Sequence, residues 1–283
     1  MARGDEDRMA GQASPLPARL LGWSGGALVA MAWLSAALFG AYIVFHYAGA
    51  LADGTPEQWN ANLPGLFEAR APASTAGIAM HFAAGGILLL LGPVQLMGGV
   101  RRRWPAFHRW SGRLYAACAL LAGLGGLTFI LVSGTIGGPA MDIGFAGYGA
   151  LMVLATVETW RHARARRLPG RLAQHRAWAI RLFALAIGSW LYRMDYGFWL
   201  LATGGIGHTQ DFQGWFDAIM DFAFYLPNLL VAEAFIRARA VPHRPAFQLG
   251  GALVMLIAAG FIALATYEFA RVYWIPGIVE RLA

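Results

Sequence analysis

Long apolar runs recur along the whole chain, and this feature constrains the fold more than any other. A helix needs roughly 20 apolar residues to cross about 30 Å of hydrocarbon, and the runs have about this length. Hydrophobic residues make up 58% of the chain and charged residues only 13%, so a bilayer suits it better than water. We therefore predict an all-α, polytopic transmembrane helix bundle. Its seven predicted spans are residues 20–47, 74–99, 111–133, 143–160, 177–202, 217–237 and 247–270.

The distribution of arginine predicts the orientation of these spans. All 22 basic residues are arginine. With the N-terminus inside, only four of them fall on or near the outer face: Arg70, Arg193, Arg271 and Arg281. Loops rich in basic residues stay in the cytoplasm, so we predict an N-in/C-out topology in a bacterial plasma membrane.

The same reasoning divides the chain into one domain and two tails. Residues 1–19 are polar, and we expect them to form a disordered cytoplasmic tail. We expect residues 20–270 to form a single transmembrane helical domain. Residues 271–283 predict a short extracytoplasmic tail. Because the net charge of +7 is confined to short segments between apolar runs, we expect no nucleic-acid partner.

Two related motifs begin spans that run from inside to outside. HRWSGR starts at residue 108, and HRAWAIR starts at residue 175. Their similar depth predicts that His108 and His175 lie within about one helix diameter, ~10 Å. Anchoring at the membrane edge would also explain the arginines. The candidate binding residues in these motifs are His108, Arg109, Arg113, His175, Arg176 and Arg181.

Small residues recur at helical spacing on spans two and three, and each forms one stripe at about 100° per residue. The stripe on span two comprises His81, Gly85, Leu88, Gly92, Gln95 and Gly99. The stripe on span three comprises His108, Gly112, Tyr115, Ala119, Ala122 and Gly126. Small residues let helices approach closely, so the stripes predict a tight helix interface. His81 and Gln95 are candidate binding residues on it.

Arg193 is the most unusual polar residue, because it lies within the fifth apolar run, in WLYRMDYGFWL. A charge at this depth costs about 2.5–3.5 kcal/mol on insertion scales unless it faces a partner or water. Arg193 should share a helix face with His175, five turns earlier. We expect an ion pair with Asp217 or Asp221, and Asp195 is less well aimed. A structural ion pair and a ligand or proton path both remain open.

The other charged side chains have simpler explanations. Glu158 and Glu233 lie near the inner ends of spans four and six, where they are expected to pair with inner arginines. His162, His208 and His243 lie in predicted loops and are expected to be solvated.

A metal or haem site would have to use histidines, because the single cysteine, Cys118, lies within an apolar run. The candidate ligands are His108, His175, His81 and His46. The sequence contains no HExxH, Walker A, GxSxG or CxxC pattern, so hydrolase or nucleotide-driven chemistry has little support. Whether the protein is an enzyme stays open.

Several of these motifs occur together in a fixed order. They are His81, a G-P-x-Q element at Gly92, H-R-W-x-G-R-L-Y from His108, H-R-x-W-x-I-R from His175, and Arg193. In this combination the chain resembles the bacterial membrane-protein family catalogued as domain of unknown function 2306, over roughly residues 75–240. The resemblance implies a polytopic membrane protein in which these polar positions belong together, and it implies no activity.

Three hypotheses for the function remain. The first choice is a membrane redox protein that binds b-type haem or a quinone. Two imidazoles would ligate the haem iron, and arginines would pair with the haem propionates. The second is a proton-coupled transporter or carrier with a relay of buried polar groups. The third is a non-enzymatic lipid-binding or assembly factor that holds anionic headgroups. Membrane lipids are expected partners under each of the three hypotheses. The first two hypotheses also require a small-molecule or cofactor ligand.

Overall fold

The computed structural model describes residues 16–61 and 65–282, and the regular elements of this part are all helices, as the sequence predicts. The helices are α1 (Leu16–Ile43, extended by a π-helical turn at Val44–Ala48 and a turn at Gly49–Ala52), α2 (Pro72–Leu96), α3 (Gly98–Arg103), α4 (Pro105–Ser133), α5 (Gly138–Arg164), α6 (Arg171–Ala186), α7 (Gly188–Thr203), α8 (Trp215–Ala223), α9 (Leu226–Ala240), α10 (Pro245–Phe269) and, after a π-helical turn at Ala270–Trp274, α11 (Ile275–Leu282). Proline occupies the first turn of five long or medium helices, where its missing N–H breaks no helical hydrogen bond.

The ends of the helical domain differ from the predicted boundaries. Helix α1 begins at Leu16, inside the tail predicted to be disordered, and residues 1–15 lie outside the described residues. At the C-terminal side the helical run passes residue 270 and continues to Leu282. Trp274 is 2% exposed and packs on Phe39 of α1, so this last segment belongs to the bundle.

Among the described residues, six helical segments are long and apolar enough to cross a membrane. They are Leu16–Ala52, Pro72–Leu96, Pro105–Ser133, Gly138–Arg164, Trp215–Ala240 and Pro245–Val279. The fifth predicted run folds instead as two helices of 16 residues each, α6 and α7, which meet at Ile187. The count of seven spans and their orientation therefore stay predictions.

The two ends of the bundle are chemically distinct. Arg176 of α6 and Arg239 of α9 lie close enough to Arg101 of α3 for their charges to act on it, and we call this the arginine end. The opposite end contains loop 204–214, where Phe212 lies beside Gly137 at the start of α5. Together α6 and α7 run from the arginine end to the opposite end.

Helices α2 and α4 are antiparallel, and their small-residue stripes face each other. A Cβ on Gly112 would lie 3.0 Å from Gln95 Oε1, and one on Gly126 would lie 3.3 Å from His81 Nδ1. In the reverse direction, a Cβ on Gly92 would lie 3.3 Å from the Tyr115 ring and 2.8 Å from the Phe183 ring of α6. The predicted close approach is thus confirmed at Gly92, Gly112 and Gly126, whereas a Cβ on Gly85 or Gly99 would meet no atom within 4 Å. We call this interface the α2–α4 seam.

Two apolar cores flank this seam. One core joins α4, α5, α6 and α8 and includes the buried Leu182 and Phe224. The other joins α1, α7 and α10 around Trp190, which is 0% exposed. A hydrogen bond of 2.6 Å from Thr266 Oγ1 to Ser35 Oγ ties α10 to α1 within this second core. The break between α6 and α7 lies where the two cores meet.

Candidate functional site

The α2–α4 seam carries polar side chains at both ends of the contact. His81 Nδ1 donates to the carbonyl oxygen of Ala122 at 2.9 Å. Since a carbonyl oxygen can only accept, this bond places the proton on Nδ1 and leaves Nε2 as the acceptor of the neutral ring. Nearer the arginine end, Gln95 Nε2 donates to Ser111 Oγ at 2.7 Å. Sequence reasoning did not find Ser111.

The α4 side of the seam contains polar atoms without partners. His108, Tyr115 and Ala122 follow one another at seven-residue intervals, so they share a face of α4 and are each about 10 Å apart along its axis. The Nδ1 atom of His108 and the hydroxyl of Tyr115 are buried, and neither has a hydrogen-bond partner among the described residues. Buried polar atoms of this kind need a functional or solvent explanation.

Tyr148 of α5 extends this column beyond Tyr115. Its hydroxyl donates to the carbonyl oxygen of Leu185 at 2.7 Å, in the last turn of α6 and next to the break at Ile187. Tyr148 and Tyr115 lie close enough to influence each other electrostatically. Tyr148 was not among the predicted site residues, although glycines at 147 and 149 on either side of it signal a close helix contact.

A cavity of about 60 Å³ lies beside His81. Tyr148 on α5, Ser189 on α7 and Gly126 on α4 line it together with the imidazole. This volume holds about two water molecules, each of which occupies roughly 30 Å³ in the liquid. The cavity thus joins the seam to the break between α6 and α7.

Arg193 lies near this cavity, and in the described part of the chain its contacts are with a carbonyl oxygen and an aromatic ring, not with the aspartates expected to pair with it. Its Nη1 donates to the carbonyl oxygen of Ser189 at 3.0 Å, and its guanidinium lies 5.4 Å from the ring centre of Phe39. Its charge also acts on His81. The break at Ile187 separates α7 from the turn that carries His175, so five unbroken helical turns do not connect the two residues.

The carboxylate expected to pair with Arg193 has other partners. Asp217 is 0% exposed, and its Oδ1 accepts from the Tyr196 hydroxyl and from His208 Nδ1, each at 2.7 Å. Its Oδ2 accepts from the N–H groups of Thr209 at 3.0 Å and Gly214 at 2.9 Å. His208 is therefore bound to a carboxylate and not simply solvated, and Asp217 anchors loop 204–214 to α8.

Asp221, one helical turn after Asp217, is also buried but lacks such hydrogen-bond partners. It is 1% exposed, and both of its carboxylate oxygens lack a hydrogen-bond partner among the described residues. The charges that act on it come from Asp217 and from Asp142 of α5, and both are negative. Asp195 is half-buried on α7, and it forms no ion pair with Arg193 in the described part of the chain.

The two motif histidines approach each other at the arginine end. His175 Nδ1 donates to the carbonyl oxygen of Thr159 at 3.0 Å, which leaves Nε2 free. His108 and His175 lie close enough for the charge of one to act on the other, and Arg101 acts on both. The expected separation of ~10 Å stays a prediction.

The arginines of the two motifs lie against aromatic rings in matching ways. The guanidinium of Arg113 lies 4.6 Å from the ring centre of Trp110, and that of Arg181 lies 4.9 Å from Trp178. Arg109 and Arg176 are exposed beside the two histidines. Such cation–π contacts at a membrane edge are sufficient to explain Arg113 as an anchor.

Glu233 and Glu158 form ion pairs at the arginine end. Arg181 Nη2 lies 2.8 Å from Glu233 Oε2, and Arg237 Nε lies 2.9 Å from Glu233 Oε1. Glu158 Oε2 lies 2.6 Å from Arg161 Nη2 and 3.3 Å from His162 Nε2. His162 is buried, contrary to the expectation that it is solvated.

The pKa of the Arg101 guanidinium lies below its usual range. Partial burial removes water from the charge, and the positive charges of Arg176, Arg102 and Arg239 add repulsion. The arginine end thus holds like charges from three separate helices close together.

The histidines do not form a multi-ligand metal site in the described part of the chain. No three His, Cys, Asp or Glu side chains come together there in a group that could hold a metal ion. His46 stacks on Tyr42 at 5.5 Å between ring centres, and it packs edge-on against Tyr47, whose ring contacts Phe82 beside His81. Of the candidate metal ligands, His108 and His175 lie close enough for their charges to act on each other.

Comparison with known proteins identifies a family. The sequence profile of a family described as a predicted membrane protein, DUF2306, matches residues 78–236. The matched segment contains the seam histidines, Tyr148, the break at Ile187 and Arg193. No curated protein and no solved structure matches the chain. The resemblance expected from the motifs is thereby confirmed.

Proposed function

The chain belongs to this family of membrane proteins, and we propose that it is a proton carrier that moves protons along the α2–α4 seam. The observation that carries the proposal is the cavity of about 60 Å³ between His81, Tyr148 and Ser189, at the break between α6 and α7. Discontinuous helices that meet at a polar site within the bundle are typical of secondary transporters.

The order of the side chains supports a relay. From the arginine end the groups that can exchange protons are His108, Tyr115, Tyr148 and His81. Each is a donor and an acceptor in its neutral form. Because Nδ1 of His81 is held by Ala122, its Nε2 is the atom available to accept a proton. Water in the cavity would bridge His81 and Tyr148.

The size of the cavity favours water over a large ligand at His81. Pockets for cofactor-sized molecules usually measure about 300–1,000 Å³. A cavity of about 60 Å³ is far below this range. Protons carried through water and side chains therefore fit this part of the molecule better than a macrocycle does.

The proposal includes the seven-span topology with the N-terminus inside. Helices α6 and α7 would form the fifth span, since they run from the arginine end to the opposite end and Arg176 and loop 204–214 lie at their two ends. The polar groups along α6 and α7 would make this span less apolar than the other six. Accessibility labelling of cysteines placed at residues 168 and 206 should find them on opposite sides.

The test is proton flux in vesicles that contain the purified protein. A potassium diffusion potential should drive protons inwards, reported by a pH-sensitive dye inside the vesicle. We expect His81→Gln and Tyr148→Phe to lower the flux at least tenfold. His243→Gln and Tyr267→Phe are matched controls on exposed side chains and should leave it unchanged. No flux above that of empty vesicles, or equal flux in His81→Gln, would contradict the proposal.

A redox protein remains a second candidate at the arginine end. It is favoured by the approach of His108 and His175 and by the Thr159 contact, which orients the His175 ring and leaves its Nε2 free. Metal-binding imidazoles commonly use the other nitrogen in this way. An absorption spectrum of the purified protein decides the matter, because bound haem would give an intense Soret band that His175→Ala removes.

A further inference from the structure

We propose that Asp221 is a proton-binding site, held as a neutral carboxylic acid, and that it delivers protons to the seam from the opposite end of the bundle. The second half of this statement rests on the proposed carrier function. The first half stands on the surroundings of the carboxyl group alone.

Burial of Asp221 without partners is the first observation. The residue is 1% exposed, and neither carboxyl oxygen meets a donor among the described residues. An isolated carboxylate in such a place loses its water without compensation, so a buried group of this kind takes up a proton. A neutral acid is much less costly to bury.

The sign of the neighbouring charges is the second observation. The charged groups that act on Asp221 are Asp142 on α5 and Asp217 on α8, and Tyr192 on α7 lies within reach of its charge. None of these three supplies positive charge. The groups around Asp221 therefore favour its neutral form.

The neighbouring carboxylates also have fixed partners, which favours a proton over a metal ion. Asp142 Oδ1 accepts the N–H of Thr135 at 2.7 Å, and both oxygens of Asp217 accept hydrogen bonds. A hard cation needs six or more oxygen ligands, and three of these four carboxylate oxygens already accept hydrogen bonds. A proton needs a single oxygen.

The position of Asp221 suits a group that delivers protons. It lies seven residues after Gly214, about 10 Å along the helix from loop 204–214. Tyr192 packs edge-on against Phe145, with ring centres 5.2 Å apart, and Phe145 lines the cavity beside His81. Tyr192 thus lies close to Asp221 and also contacts Phe145 at the wall of the cavity.

Infrared spectroscopy tests the protonation directly. The protein should show the carbonyl stretch of a protonated carboxylic acid, which shifts in heavy water. Asp221→Asn should remove one such band, whereas Asp217→Asn should retain it. Because Asn resembles a neutral acid in size and charge, we expect Asp221→Asn to melt within about 2 °C of the parent protein, less than the effect of a 1 kcal/mol change. Unchanged bands, or a large loss of stability in Asp221→Asn, would overturn the proposal.

Flux measurements separate this inference from the proposed function. If the parent protein carries protons, Asp221→Asn should lower the flux at least fivefold, and flux equal to the parent would remove Asp221 from the path while the carrier function stands. If the parent protein carries no protons, the carrier function fails, and the infrared result still decides whether Asp221 binds a proton.

Discussion

The two ends of the bundle accommodate their charged side chains in opposite ways. At the opposite end Asp217 is completely buried, and it accepts hydrogen bonds from two side chains and two backbone N–H groups. At the arginine end Arg181 and Glu233 keep 24% and 28% of their side chains exposed, and Arg176 is exposed. A buried charge requires a full set of partners, whereas an exposed one is stabilised by water or headgroups.

This difference predicts where substitutions will be most damaging. The opposite end depends on a few specific hydrogen bonds, so the loss of one group should leave several buried partners unsatisfied. The arginine end depends on many charges of one sign, so each of them should contribute little. Substitutions at the two ends test this contrast.

Asp217→Ala should be the most destabilising of these substitutions. It removes the acceptor for four hydrogen bonds, and bonds to a charged group contribute about 1.5–3 kcal/mol each before relaxation. We expect the free energy of unfolding to fall by about 3 kcal/mol or more, which corresponds to roughly 6–12 °C in melting temperature. Thermal unfolding in neutral detergent measures the effect.

Asp211→Ala is the matched control for this substitution. Asp211 lies in the same loop and accepts a hydrogen bond from Thr209 Oγ1 at 2.6 Å, but it is exposed. Its replacement should change the melting temperature by about 1 °C or less. Equal losses in Asp211→Ala and Asp217→Ala would show that burial does not distinguish the two carboxylates.

The sequence predicted the helices and the α2–α4 seam well, because both depend on local patterns. Apolar length identifies a helix, and glycine spacing on one face identifies a close contact such as Gly112 with Gln95. The partner of Asp217 depends on loop geometry, which apolar patterns do not specify. Positive φ angles at Gly204, Gly205 and Gly207 turn this loop so that His208 meets the carboxylate.

The surroundings of Arg193 could not be predicted for a related reason. Counting turns from His175 assumes one continuous helix, and the break at Ile187 invalidates that count. The run contains no proline at the break, and the signal it does contain is the pair Gly188-Ser189, which the sequence reasoning did not use. The depth of Arg193 correctly indicated a polar neighbour, but the neighbour is the carbonyl oxygen of Ser189 and not a carboxylate.

The ion pair between Arg181 and Glu233 should show a coupling of intermediate size. Arg181 contacts Glu233 Oε2 through Nη2 at 2.8 Å and Nε at 3.2 Å, which is a well-aimed geometry. Because water still reaches both side chains, we expect a coupling energy of about 1 kcal/mol, at the upper end for exposed pairs. The measurement is a double-mutant cycle with Arg181→Gln and Glu233→Gln. A coupling of about 3 kcal/mol would place this pair in the same energetic class as Asp217 and remove the contrast between the two ends.

Arg101→Gln should have the smallest effect on the free energy of unfolding. It should raise this free energy, whereas Asp217→Ala should lower it. Burial and the charges of Arg176, Arg102 and Arg239 lower the pKa of Arg101, so its charged form is less stable in the folded protein than in the unfolded chain. Arginine nevertheless stays charged throughout the physiological pH range, and the folded protein bears this repulsion at every such pH. Removal of the charge should therefore raise the stability by roughly 0.5 kcal/mol or less, as for other exposed like-charge contacts.

Salt and lipid composition show whether this gain is electrostatic. In neutral detergent at low ionic strength, Arg101→Gln should melt slightly above the parent protein, and about 1 M salt should remove the difference because the Debye length falls to about 3 Å. Anionic lipid should also remove it, since headgroups neutralise the cluster in the parent protein. Arg70→Gln is the control, because Arg70 is an exposed arginine before α2, far along the chain from this cluster, and its replacement should show no such dependence. If Arg101→Gln instead melts below the parent at low ionic strength, the arginines stabilise the fold by contacts, and their crowding at this end does not oppose folding.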